Sequence, residues 1–316
     1  MIKNVNLFSV KYTIIIKKGA FMTVKFRRYK FLADFDKVNN YLTDVFNLET
    51  LNGYLLPQYF EYAHTHPLFN FKSAHRFGLW EDGNGLIGIA CYDMYPGECF
   101  ISVKNSFNSL LPEMISYSEE NLSEKNNGKI SLAISITDKE IEKKKALEIH
   151  GYTKIRSEPV TVFSYENQFP HQILPEGFSV ISLEDENDFK KIHDCLWYGF
   201  DHGPEPDPDN DIESRILAQS GPNFRKDLTT IIKAPNGEYA CFAGMWFDKK
   251  NNYAYLEPLA TVPKYRGMGL ATVALIEGMK KTKELGAKYC FGGTGEFYKN
   301  FGFKAIANRE LCKKEW

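Results

Sequence analysis

The sequence predicts an α/β (α+β) chain of 316 residues made of two tandem copies of one domain, each a mixed central sheet flanked by helices. Three separated stretches carry this reading. The run beginning Asp34, Phe35, Asp36, Lys37 resembles the run beginning Asp188, Phe189, Lys190, Lys191, at an offset of 154. The segment from Gly85 to Cys91 lines up with that from Gly237 to Ala243, at an offset of 152. Leu147, Gly151 and Tyr152 line up with Tyr298, Gly302 and Phe303, at an offset of 151. Three matches at nearly one offset set copy one at 23–168 and copy two at 174–316, joined near 167–177, where Gln168, Pro170, His171 and Pro175 break any periodic pattern.

Each copy opens with a strand, 24–31 and 178–183, that leads into an amphipathic helix, 35–46 and 189–200. A second helical stretch follows. A hairpin then turns at Asp82, Gly83, Asn84 and Gly85 in copy one and at Pro235, Asn236 and Gly237 in copy two, both strong turn signals. In copy two a β-rich run over 252–262 precedes a helix over 270–285 whose apolar positions 271, 274, 275, 279 and 285 recur at helical spacing, with Gly286 as its cap. A strand over 288–291, a helical turn over 297–300 and a last strand complete the copy. Residues 1–22 read as an N-terminal appendage, with the fold starting near Met22; the apolar run over 8–16 is broken by Lys11 and is too short to span a bilayer.

Composition narrows the function. Lys plus Arg total 39 against 40 Asp plus Glu, so no basic surplus exists to drive binding to a nucleic acid, and no membrane segment is expected. The six cysteines, Cys91, Cys99, Cys195, Cys241, Cys290 and Cys312, are scattered, with no paired spacing; they read as reduced thiols of a cytoplasmic protein and no metal is expected. Ala63, His64, Thr65, His66 and Pro67 offer a His-x-His pair that would share one face of a strand, without a third ligand nearby in sequence. Aromatic residues, at 15%, are abundant.

The chemistry concentrates at Thr261–Thr272 in copy two. A strand ends and a helix begins there, and Gly267 and Gly269 between them let the backbone turn with its amides inward. Those amides and the free N–H groups of the first helical turn make an anion site suited to a pyrophosphate. The loop has neither the spacing of a nucleotide triphosphatase loop nor that of a dinucleotide fold. Arg266, Gly267, Met268, Gly269, Leu270 and Ala271 resemble the [QR]-x-x-G-x-[GA] motif of the GNAT N-acetyltransferase superfamily, and Phe297, Tyr298, Gly302 and Phe303 are similar to its later Y-x-x-x-G-F segment. The motif-bearing resemblance covers 176–316 and extends more weakly, by the repeat, to copy one.

This resemblance implies acetyl-CoA as co-substrate. The backbone of Leu259, Ala260 and Thr261 would pair with the pantetheine arm; Arg266, Gly267, Met268, Gly269, Leu270, Ala271 and Thr272 would hold the pyrophosphate; Tyr298 would be the general acid that reprotonates the departing thiolate. The segment Gly292, Gly293, Thr294, Gly295, Glu296 departs from the usual pattern and lacks the Asn often found ahead of the tyrosine. Glu257, an acid in an apolar strand, is the candidate general base, with Glu296 behind it. Trp197, Tyr198 and Asp201, aromatic then acidic, would hold a cationic small-molecule amine by ion pairing and cation–π contact, in a monomer or homodimer. Copy one has no glycine between 100 and 127 and has Leu147 in place of Tyr298, so it reads as a degenerate, structural partner. The expected function is acetyl transfer to a small amine in a ternary complex. The alternatives are a non-catalytic acyl-CoA sensor and an aminoacyl-tRNA-dependent transferase, the latter disfavoured by the missing basic surplus.

Overall fold

The computed structural model describes residues 9–16, 20–206 and 212–316, with the side chains of 9–22 and 52 left aside. Part of the segment read as an appendage, residues 1–8 and 17–19, lies outside the described residues. Two compact units emerge.

Unit one is built from β1 (Ser9–Ile16), β2 (Ala20–Arg28), α1 (Phe35–Val45), α2 (Pro57–His64), β3 (Gly78–Asp82), β4 (Gly85–Tyr92), β5 (Glu98–Val103), α3 (Leu111–Asn121), β6 (Glu124–Asn126), β7 (Lys129–Thr137) and α4 (Ile141–Ile149). The opening strand therefore starts at Ala20, ahead of the expected position, and Ser9–Ile16 pairs antiparallel with it. The ladder runs β1-β2-β3-β4-β5-β7, antiparallel except for the parallel pair β5/β7. Val38 and Leu42 of α1, Phe60 of α2, Met114 and Ile115 of α3 and Leu147 of α4 close over Ile87, Ile89, Phe100, Ile134 and Ile136. The expected His-x-His strand is instead a helix end. His64 is the last residue of α2, its Nδ1 2.8 Å from the Phe60 carbonyl oxygen and its ring among Phe60, Phe69 and Phe35. Burial there lowers its pKa to about 4, so it is neutral at pH 7.

Unit two contains β8 (Thr153–Ser164, from Val160 on), β9 (Ser179–Ser182), α5 (Phe189–Gly199), α6 (Ile212–Ala218), β10 (Thr230–Lys233), β11 (Tyr239–Asp248), β12 (Tyr253–Thr261), α7 (Leu270–Glu284), β13 (Tyr289–Gly292), α8 (Glu296–Phe301) and the start of β14 (Lys304–Glu315). Its order is β8-β13-β12-β11-β10-β9, with β12/β13 the parallel pair. Alternate strand residues serve opposite faces, as the period-2 pleat dictates. Ile231, Phe242, Ala260 and Val262 pack under Ile192, Cys195 and Leu196 of α5. Ile232, Ala243, Met245 and Leu256 pack under Val273, Ala274 and Met279 of α7. The Asp188 carboxylate accepts from the Lys191 amide at 3.1 Å and starts α5; Gly286, at φ +104°, ends the α7 region.

The packing units do not follow the linear joint. The final strand of each copy is built into the unit of the other. Thr161–Ser164 of β8 pair with Tyr289–Gly292 of β13 in unit two. Arg309–Glu315 of β14 pair with Ser131–Thr137 of β7 in unit one. There Arg309 donates to the Ser135 hydroxyl at 2.9 Å and to Glu98 at 3.1 Å, and Glu310 receives Lys144 and Lys154 at 3.1 and 3.0 Å. A chain cut at Gln168 therefore leaves both β7 and β13 short of a strand. Each half alone is expected to lose its cooperative thermal transition, and mixing the halves to restore it; two halves that each melt cooperatively would contradict this arrangement.

Candidate functional site

In unit two, β12 and β13 pair over only three rungs, Tyr253–Tyr289, Ala254–Cys290 and Tyr255–Phe291, and then part. Beyond Tyr255 the edge of β12 that faced β13 has no strand beside it among the described residues. Leu259, Ala260 and Thr261 lie on that stretch, the Thr261 carbonyl already accepting from Arg266 at 3.1 Å. Backbone N–H and C=O groups left at such an edge call for a partner. On the other edge β11 continues to pair, across a register shift between Ala243 and Met245.

At the end of β12 a short 3-10 turn, Pro263–Tyr265, leads into Arg266, Gly267, Met268 and Gly269. Both glycines hold left-handed backbone, at φ +79° and +77°, which a side chain would strain. Gly269 is the N-cap of α7, and no side chain caps that helix; the amides of Leu270, Ala271 and Thr272 open its 15-residue dipole to an anion. This is the backbone on which the sequence places an anion site.

Two expected side chains are differently employed. Arg266 donates to the Thr261 carbonyl at 3.1 Å and the Gly199 carbonyl at 2.9 Å, and pairs with Asp201 at 2.9 Å. It braces the loop against the end of α5, and Asp201, placed in the acceptor pocket by sequence, is its counter-ion. Trp197 donates from Nε1 to the Gly203 carbonyl at 3.2 Å. Tyr198 lines a groove of about 430 Å³ with Lys191, Asp194, Tyr239, Pro263 and Lys264, beside α5 and the end of β12. Residues 207–211 of the acidic loop lie outside the described residues.

Glu257 stands two residues past the last rung. Desolvation raises its pKa to about 7, so the carboxyl can gain and lose a proton near neutrality. Tyr298, on α8, is close enough for the Glu257 charge to act on it. Burial first, then Glu257 and Cys290, hold the phenol protonated well above its usual range. Glu296, the second candidate, is exposed at the first turn of α8. Cys290 is fully buried, donates to the Phe291 carbonyl at 3.2 Å, and has its thiol pushed up by burial, which suits packing rather than nucleophilic attack.

The glycine-rich departure before Tyr298 has a steric cause. A methyl at Gly293 would stand 2.5 Å from the Tyr298 ring, and one at Gly292 would overlap Phe303. Three contributors escaped the sequence analysis. Trp246 donates from its indole to the Glu257 carbonyl at 3.0 Å. Thr161 reaches the Gly293 carbonyl at 2.8 Å. The carboxamide of Gln172, in the joint between copies, lies over Gly269 where a Cβ would point.

Unit one shows the same geometry closed. β5 and β7 pair over three rungs, ending at Phe100–Ser135. The Lys143 ammonium then donates to the Ile101 carbonyl at 2.6 Å and to Glu140 at 2.5 Å. The 3-10 turn Leu51–Tyr54 packs there too, with Thr137 donating to the Thr50 carbonyl at 2.8 Å and Gly53 facing the carbonyls of Ile101 and Ser135. Two residues past the last rung stands Ser102, fully buried, where unit two has Glu257. A 3-10 helix, Asn105–Leu110, runs directly into α3 in place of a glycine loop.

Residues 187–303 match the family model for the acetyltransferase (GNAT) family. No curated protein matches the chain. Among solved structures the chain is similar to a GCN5-related N-acetyltransferase from Sphaerobacter thermophilus, at 16% identity over 76% of this chain and 80% of that one, with a TM-score of 0.56. It is also similar to a tandem GNAT protein from the clavulanic acid biosynthesis pathway, at 10% identity over 92% and 98%, TM-score 0.53. A third likeness is to Saccharomyces cerevisiae N-myristoyltransferase with bound myristoyl-CoA, at 10% identity over 92% and 78%, TM-score 0.53. At these identities the likeness is one of fold. No helix among the described residues is long and apolar enough to cross a membrane.

The state of Glu257 gives a direct check. Between about 4.5 and 7 the folded chain holds a proton that the unfolded chain has released, so stability falls as pH rises across that window. Carboxyl-carbon NMR is expected to show a midpoint near 7, and Glu257→Gln is expected to flatten that part of the stability curve. A midpoint near 4.5 would contradict the buried setting.

Proposed function

We infer, from the match of residues 187–303 to the acetyltransferase (GNAT) family model, that the protein transfers an acetyl group from acetyl-CoA to the nitrogen of a small amine. The observation that carries this reading is the open cleft of unit two. A β-strand edge without a neighbour leads straight to an uncapped helix N-terminus, and two proton carriers stand beside the point where the strands part.

The pantetheine arm pairs with the edge at Leu259, Ala260 and Thr261, and the amides of Gly267, Met268, Gly269, Leu270, Ala271 and Thr272 receive the pyrophosphate. Glu257 takes the ammonium proton, directly or through water. The amine lone pair attacks the thioester carbonyl, and a backbone amide of the β12 edge polarises it. As the C–S bond breaks, Tyr298 gives its proton to the leaving thiolate, and the nitrogen sheds its second proton as the amide forms, which restores the phenol. The order of proton affinities suits these roles: the base titrates near neutrality and the acid keeps its proton well above it. Arg266 and Asp201 act on the ligand through the loop they brace, and Trp197 and Tyr198 shape the acceptor side. The six cysteines are free and buried, which fits a reducing compartment such as the cytoplasm.

Gly269→Asp places a charge and a side chain in the anion site and must also displace Gln172; acetyl-CoA affinity is expected to fall by about tenfold or more, roughly 1.4 kcal/mol, by calorimetry. An unchanged affinity in a folded variant would remove the loop from the site. Thiol release measured over a panel of amines (spermidine, glucosamine, lysine, tyramine) tests turnover. Tyr298→Phe is expected to lower kcat by about 10²–10⁴-fold. The rate should decline below about pH 7 as Glu257 takes up its proton, and Glu257→Gln should abolish that limb. Tight acetyl-CoA binding without thiol release toward any amine would favour a sensor.

A further inference from the structure

Tyr298 does not hold its own position. Its ring lies flat against the backbone of Gly293, where a Cβ would come within 2.5–2.9 Å of the ring and the phenol oxygen. The edge of Phe303 meets it at 5.4 Å and 90°, and Phe303 in turn rests on Gly292. The phenol thus rests on the two glycines where β13 ends, with Phe297 also against its ring at 5.1 Å and 80°, and glycine backbone past the end of a strand has little stiffness of its own. Besides the strand pairing at Gly292, a hydroxyl from the neighbouring strand holds this segment. Thr161 Oγ1 lies 2.8 Å from the Gly293 carbonyl oxygen and 3.3 Å from that of Gly292, and donates its one proton across that pair. Thr161 is 8% exposed, so its hydroxyl cannot exchange this bond freely for water. It sits on β8, whose Thr161–Ser164 segment pairs with β13, with Gly292 directly opposite Thr161.

We propose that Thr161 is a positioning residue for the transfer reaction: a hydroxyl from copy one's sequence that holds the Gly292–Gly293 end of β13 and so aims the Tyr298 proton donor of copy two. This rests on the reading of Tyr298 as the general acid. It also gives the exchanged strand a catalytic purpose. Copy one has lost its own loop and acid, yet its last strand carries part of the geometry by which copy two works.

The test uses the full chain labelled with 3-fluorotyrosine and followed by fluorine NMR, with the Tyr298 signal assigned by its loss in Tyr298→Phe. Thr161→Val keeps the β-branched shape and removes the donor; Thr161→Ser keeps the donor. The expected result is a shifted or broadened Tyr298 signal in Thr161→Val, with the other tyrosine signals in place, and return of the signal in Thr161→Ser. With acetyl-CoA and the most active amine of the panel, kcat of Thr161→Val should fall about three- to tenfold, the scale of one neutral hydrogen bond, with KM for acetyl-CoA unchanged and Thr161→Ser restored. A Tyr298 signal at its wild-type position in Thr161→Val overturns the proposal, as does a loss that Thr161→Ser fails to rescue. Should Thr161→Val not fold, Thr161→Ser decides alone: a displaced Tyr298 signal despite the hydroxyl overturns the proposal, and a retained one supports it. If instead Tyr298→Phe turns over at the wild-type rate, the reading of Tyr298 as the acid fails, and the fluorine signal still reports whether Thr161 holds the ring.

Discussion

Two parallel strands that part company leave backbone groups without partners, and backbone polar groups shielded from water must be satisfied. Both halves of this protein contain that parting, after three rungs in each case. They resolve it in opposite ways. In unit one the chain fills its own gap: Lys143 binds the freed carbonyl of Ile101, and the Leu51–Tyr54 turn packs into the space. In unit two no strand among the described residues covers that edge, and it runs into a helix with no side-chain cap, which leaves room for a partner from outside the chain.

The closure of unit one is more than the absence of a motif. A buried ammonium held by Glu140 and a backbone carbonyl is costly to remove from either partner. Ser102 and Leu147 then sit where unit two has Glu257 and Tyr298, the first by strand register and the second by sequence alignment. The exchange of final strands joins sequence from copy one to the sheet of unit two. The same exchange explains why the linear joint near Gln168 is a poor guide to where the protein could be divided.

Much of this was legible in the sequence because it depends on local rules. The repeat, the two hairpin turns, the helices at 35–46 and 189–200 and the glycine loop ahead of the 270–285 helix all rest on period and turn chemistry, and the structure has each of them within a residue or two. What escaped depends on which strands become neighbours. The exchange of β8 and β14 has no local signal, since either strand would read the same in its own copy. Thr161 is one of several threonines in a β-rich run, and only its placement against Gly293 singles it out. Gln172 lies in a Pro-rich joint without periodicity. Arg266 and Asp201 were given to ligands because a sequence shows charges without their partners; 65 residues apart, they spend themselves on each other.

The difference between an open and a self-filled gap is tested most directly by counting sites. Calorimetric titration of the full chain with acetyl-CoA should give one site per chain, with Leu259–Thr261 amides protected from hydrogen exchange on binding and the Ile101–Val103 amides unaffected. Two sites per chain, or protection at Ile101–Val103 in step with Leu259–Thr261, would show that unit one is not closed.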